Sequence, residues 1–167
     1  MAALNALPAG ITINYTNAGF VAGTTSTYTT TVTTAGIING KFLVTLAAQT
    51  NTASPTTDAT TGAAFVALQP NQCCVLLWGT NLAGTIKLCQ GPIIGTLTGV
   101  TTTAGGLLND PQFPSTPDDF CPMAYTIVKT APSAAAWTPG TGSWTASGVT
   151  ASVFQNIGAL PARVQSS

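Results

Sequence analysis

Cys73-Cys74-Val75-Leu76-Leu77-Trp78 is apolar at every position. Successive side chains on a strand point to opposite faces, so a strand of this composition is buried on both sides. Such a strand sits in the middle of a sandwich or at a subunit interface. Pro70-Asn71 turns the chain into it, and Gly79-Thr80-Asn81-Leu82-Ala83-Gly84 turns it on into Thr85–Gln90. Pairing Thr80 with Thr85 sets Leu76 opposite Cys89 and Cys74 opposite Gly91. No two thiols then face each other across the hairpin.

The flanking sequence repeats the β pattern. Upstream, Phe65–Leu68 begins a strand. Ile38-Asn39-Gly40-Lys41 holds Asn-Gly, whose residues tolerate the positive φ values of a type I′ hairpin turn. After it Phe42, Val44 and Leu46 face one way, and Lys41, Leu43 and Thr45 the other. Residues 25–34 are nearly all Thr, with Tyr28 and Val32 on one face, and β-branched Thr favours an extended backbone. Residues 48–62 read as a polar loop with nothing to bury in a core. Downstream, residues 95–111 are rich in Gly and Thr. Pro111, Pro114, Pro117 and Pro122 mark an extended crossing segment rather than a ladder strand. Met123–Lys129 is a strand with Met123, Tyr125 and Ile127 on one face. Trp137 and Trp144 flank the turn at Pro139–Gly142, Val149–Phe154 is the last strand, and Leu160–Arg163 leads into a polar tail.

With helix formers scarce and short alternating windows throughout, the expected fold is all-β: a β-sandwich or jelly-roll-like domain with an extended N-terminal arm. Residues 1–18 are an arm that docks on a neighbour through Leu4, Leu7, Ile11 and Ile13, or an edge strand at Ile11–Tyr15. Residues 19–167 form a single β domain.

Only eight of the 167 residues carry a formal charge: Lys41, Lys87, Lys129, Arg163, Asp58, Asp110, Asp118 and Asp119. There is no His and no Glu, while Thr occurs 31 times. A soluble domain is normally about a quarter charged, and a neutral surface favours association. Four cations make no basic stripe for nucleic acid. No apolar run is long enough for a membrane helix, and Met1–Pro8 does not read as a secretory signal. A reducing compartment follows as the expectation, with Cys73, Cys74, Cys89 and Cys121 free.

The same deficit strips the chain of catalytic groups. Acid–base chemistry would fall to four aspartates, a Tyr or a Cys, and no His stands ready to activate a thiol. The cysteine spacing lacks the two-residue gap of zinc sites. Asp110, Asp118 and Asp119 offer carboxylates to a Ca²⁺ ion without the spacing of a known loop; a solvated turn is the plainer reading. Gly105-Gly106 and Gly140-Thr141-Gly142 lack the context of a phosphate loop. Trp78, Trp137 and Trp144 suit sugar stacking, but large aromatics more often fill a core or an interface. The Thr run lacks the regular repeat of an ice-binding face. The chain therefore nominates no catalytic, cofactor-binding or metal-ligating residue and requires no cofactor.

Several runs carry a family resemblance. Pro111-Gln112-Phe113-Pro114, Pro117-Asp118-Asp119-Phe120-Cys121-Pro122, Ala124-Tyr125 and Val128-Lys129 form one group. Ala136-Trp137-Thr138, Gly140-Thr141, Trp144, Ala146 and Gly148-Val149-Thr150 form another. Thr56–Gly62 and Phe65 belong with them. Together they resemble small head-associated structural proteins of tailed bacteriophages: decoration, cement or head-fibre proteins. The resemblance spans residues 50–163, departs at Leu160-Pro161-Ala162-Arg163 where an acidic residue is expected before the Arg, and leaves the first 50 residues uncovered. It brings no catalytic motif. It implies a non-enzymatic virion protein, assembled in the host cytoplasm, that binds the major capsid protein on the capsid surface as a homo-oligomer, a trimer above all. The rival expectation is a receptor-binding or tail-fibre module that holds host glycans on Trp or Thr surfaces.

Overall fold

A computed structural model describes residues 10–165. The strands are β1 (Ile13–Asn14), β2 (Phe20–Ala22), β3 (Thr27–Thr30), β4 (Gly36–Ile38), β5 (Lys41–Phe42), β6 (Gln49–Ala53), β7 (Gln72–Thr80), β8 (Ile86–Gln90), β9 (Ile94–Gly95), β10 (Cys121–Thr130), β11 (Val149–Ala151) and β12 (Gln155–Asn156). They form three antiparallel sheets: β1-β4-β5, β2-β3-β6, and a six-stranded sheet in the order β11-β10-β7-β8. In the last, β9 extends the β8 edge of β7 and β12 extends the β11 edge of β10. The domain is all-β.

The heart of the molecule is the pair β7 and β10, in register from Cys73↔Lys129 to Cys121↔Thr80. As the run Cys73–Trp78 requires, β7 is buried on both faces, and its own chain supplies both layers. On one face Cys74, Leu76 and Trp78 join Leu88, Val128, Trp137, Trp144 and Phe154, together with Phe20 and Tyr28 from the β2-β3-β6 sheet. Rings at 5.3–6.1 Å link Phe20, Tyr28, Trp78 and Phe154 across this layer. On the other face Val75, Leu77, Cys89, Tyr125 and Ile127 pack under Phe120 and Phe113 of the crossing segment. Phe113 meets Tyr125 edge-on at 5.0 Å. Burying each such large side chain contributes roughly 1.5–3 kcal/mol. A third, smaller cluster of Ile38, Leu43 and Cys121, with Leu82 beside it, lies beneath β1-β4-β5.

Within residues 10–18 only Ile13–Asn14 is strand: β1 pairs with β4 at the edge of its sheet, and the Asn14 N–H donates to the Gly158 carbonyl at 2.7 Å. Asn156 Oδ1 accepts the Phe20 N–H at 2.8 Å, so both ends of the described chain are tied together. Leu4 and Leu7 lie outside the described residues.

Several local expectations are corrected. Thr80 pairs with Ile86, and Leu77, not Leu76, faces Cys89. The cause is a three-residue loop, Leu82-Ala83-Gly84, closed on Asn81 and Thr85, with Gly84 at φ 75°. Neither Cys74 nor Cys89 faces a thiol even so: Cys74 stands across from Val128. Met123 does not share a face with Tyr125 and Ile127, because a bulge between Pro122 and Ala124 turns it to the Trp78 side. Residues 48–62 are not all loop. Gln49–Ala53 is strand β6, recruited by β3, where the Thr29 and Thr30 hydroxyls accept the Asn51 and Gln49 N–H groups at 3.0 Å. Ser54 and Asp58 in that stretch are buried. Val32 is exposed while Tyr28 is buried, since β3 ends at Thr30. Phe65–Leu68 is held by a single bridge, Leu68 to Trp137, rather than a ladder. Val149–Phe154 breaks after Ala151, where the Ser152 hydroxyl accepts the Ile127 N–H at 2.9 Å.

Candidate interaction surface

None of the residues the sequence offered for chemistry forms a reactive constellation. Trp78, Trp137 and Trp144 are buried, so none presents a face to a sugar ring. Trp137 Nε1 donates to Ser143 O at 2.9 Å and Trp144 Nε1 to Thr27 O at 2.8 Å, and both indoles serve the core. Asp119 accepts the Leu82 N–H at 2.7 Å, and Asp118 offers its carbonyl to Asn39 Nδ2 at 3.2 Å. Among the described residues no three metal donors gather, so Asp110, Asp118 and Asp119 make no Ca²⁺ cluster. Burial pushes the Cys74 thiol up to about 12 and those of Cys89 and Cys121 to about 11; Cys73 is also raised by burial. Thiols held protonated are poor nucleophiles.

A groove of about 640 Å³ runs between the 58–66 loop and Phe113–Ser115. Its one carboxylate, Asp58, is already occupied. Asp58 accepts the N–H groups of Thr60 and Thr61 at 2.9 Å and of Gln90 at 2.7 Å, and the Thr61 hydroxyl at 3.2 Å. With the Ala59 N–H donating to Leu88 O at 2.9 Å, this loop closes the outer edge of β8. Asp58 is a structural clamp.

Among the described residues, the outer face of β1-β4-β5 has no covering layer. Ile13, Ile37 and Phe42 stand opposite one another across the three strands. Strand alternation adds Ile11 and Tyr15 along β1 and Val44 beyond β5. Phe42 is 73% exposed, Val44 61%, Tyr15 57%, Ile11 40% and Ile13 39%. The opposite face, with Asn14, Gly36, Ile38 and Leu43, is buried. Gly36 is required there, since a Cβ would lie 2.9 Å from Ile13 O and from a Leu43 methyl. The Asn39–Gly40 turn, with φ of 49° and 77°, sets the register that puts Phe42 opposite Ile37. A smaller apolar group, Leu97, Val100 and Leu108, projects from the segment bridged at Thr96↔Leu107.

The sequence flagged Phe42, Val44 and Leu46 as one strand face without placing it; Phe42 and Val44 lie on the open face, but Leu46, beyond β5, packs against the main core instead. The overlooked signal was that Leu43, between them, is apolar too. The alternation of Ile11, Ile13 and Tyr15 carries the same message. No family model, curated protein or solved structure matches the chain.

Proposed function

We propose that this protein is a non-enzymatic structural component of a tailed-phage virion, attached to the outside of the head as a homo-oligomer, with a trimer favoured, and in contact with the major capsid protein. The carrying observation is a contiguous apolar sheet face on a chain with only eight charges. Contiguous exposed apolar area is the mark of a surface that meets protein. The resemblance of residues 50–163 to head-associated phage proteins supports the choice of assembly. In this reading the finer architecture is sandwich-like, with β2-β3-β6 laid over one face of the central sheet. The work is done by interfacial burial. At about 25 cal/mol per Å², a standard interface repeated over a shell adds a large total stabilisation against internal pressure. Imaging of particles carrying a labelled copy tests it. Many copies spread over the head support decoration, and a few copies at the tail would replace this reading by the adhesion alternative, which has lost its tryptophan platforms.

A further inference from the structure

We infer that the outer face of β1-β4-β5 is where one copy of this chain meets another, sheet packed against sheet. The inference rests on the assembly reading above; one face packed on its own copy is a two-fold contact, so it pairs copies and is distinct from the contact that would close a trimer.

Three observations select a second copy. The first is area. Ile11, Ile13, Tyr15, Phe42 and Val44 are 39–73% exposed on one face, an apolar patch on the order of a few hundred Å². Two such faces packed together approach the roughly 1,000 Å² of a specific interface. The second is charge. The face bears none, so a charged partner finds nothing to pair with. An uncharged face suits its own copy, which brings no charge to it either. The third is geometry. A sheet that is apolar on both faces needs a layer on each. Ile38, Leu43 and Cys121 supply one layer from within the chain. A second β1-β4-β5 sheet at about 10 Å supplies the other, by ordinary face-to-face packing.

The test is sedimentation of the purified full chain from micromolar to millimolar concentration, without capsid. Three variants accompany it: Phe42→Lys with Val44→Lys on one edge, Tyr15→Lys on the other, and Val66→Lys as an exposed apolar control off the face. Circular dichroism reports whether each keeps its β signature, and the Tyr15 variant decides if the double variant misfolds. The expected result is an oligomer for the wild type and the control, and association weakened about 30-fold or more for both face variants. A wild type that stays monomeric, or face variants that assemble like it, would overturn the inference. A chain lacking residues 1–9 that assembles where the full chain does not would also overturn it, giving the face to those residues. The virion reading fails separately. An oligomer absent from heads leaves this interface standing, and a monomeric variant that still reaches the head leaves the virion reading standing.

Discussion

β7 and the β5 region carry the same local pattern. Val75, Leu76 and Leu77 are consecutive apolar residues, and so are Phe42, Leu43 and Val44. In β7 every one of them is buried, because Phe20 and Tyr28 lie over one side and Phe113 and Phe120 over the other. Around β5 only Leu43 is buried, and Phe42 and Val44 stand in the open. A strand that is apolar on both faces demands two layers. The central sheet finds both within 167 residues. Among the described residues the small sheet finds one, and we propose that a second copy supplies the other.

Cutting a large side chain from each region would break or sharpen this contrast. Trp78→Ala should cost about 3–5 kcal/mol, read as a fall in the denaturant midpoint at unchanged slope. A loss near zero would mean the central sheet is not the stable unit. Asp58→Ala leaves the Gln90 N–H and two loop N–H groups without their acceptor and should cost about 2 kcal/mol by the same assay. A silent substitution would show that the β8 edge needs no clamp.

The third effect is alkaline. Burial holds the Cys74 thiol protonated, with its folded value raised from 9.0 to about 12. Its stabilisation is whole below pH 9 and is lost as the pH rises from there toward 12. Above pH 9 stability should fall, with Cys74 contributing on the order of 1 kcal/mol per pH unit beside Cys89 and Cys121, and Cys74→Ala should reduce the slope by that share. An unchanged slope would place the alkaline sensitivity elsewhere. The smallest effect belongs to the open face. Phe42→Ser in dilute solution should move the midpoint by no more than about 0.5 kcal/mol. A larger loss would mean that Phe42 is part of the monomer's own core.

The sequence makes the fold class plain, because alternation and β-branched residues act locally. Cys73–Trp78 reads as doubly buried and the Asn39–Gly40 turn as a turn for the same reason. What it leaves hidden depends on one-residue offsets and distant partners. The three-residue loop at Leu82–Gly84 moves the β7–β8 register by one, and the bulge at Met123 turns a single side chain over. β6 is polar throughout and becomes a strand only because β3 offers it an edge. The open face was half legible: parity set Phe42 and Val44 together, but which parity faces water depends on Cys121 and Leu82, far along the chain.

The bond from Asn14 to Gly158 ties folding to the timetable of synthesis. Asn14 and its acceptor Gly158 are far apart in sequence, so the partner emerges from the ribosome well after β1. At about 5–20 residues per second the interval is on the order of ten seconds. β7 likewise waits for β10 before its faces close. Non-local pairing of this kind already folds slowly, over milliseconds to seconds. During the wait the nascent chain exposes Leu76, Leu77 and Trp78 with hardly a charge nearby to keep neighbours apart. Crowded polysomes are therefore where wrong encounters between copies concentrate. A circular permutant in which residues 155–165 precede residue 10 would give Asn14 its Gly158 acceptor at the outset, and its refolding rate should rise accordingly.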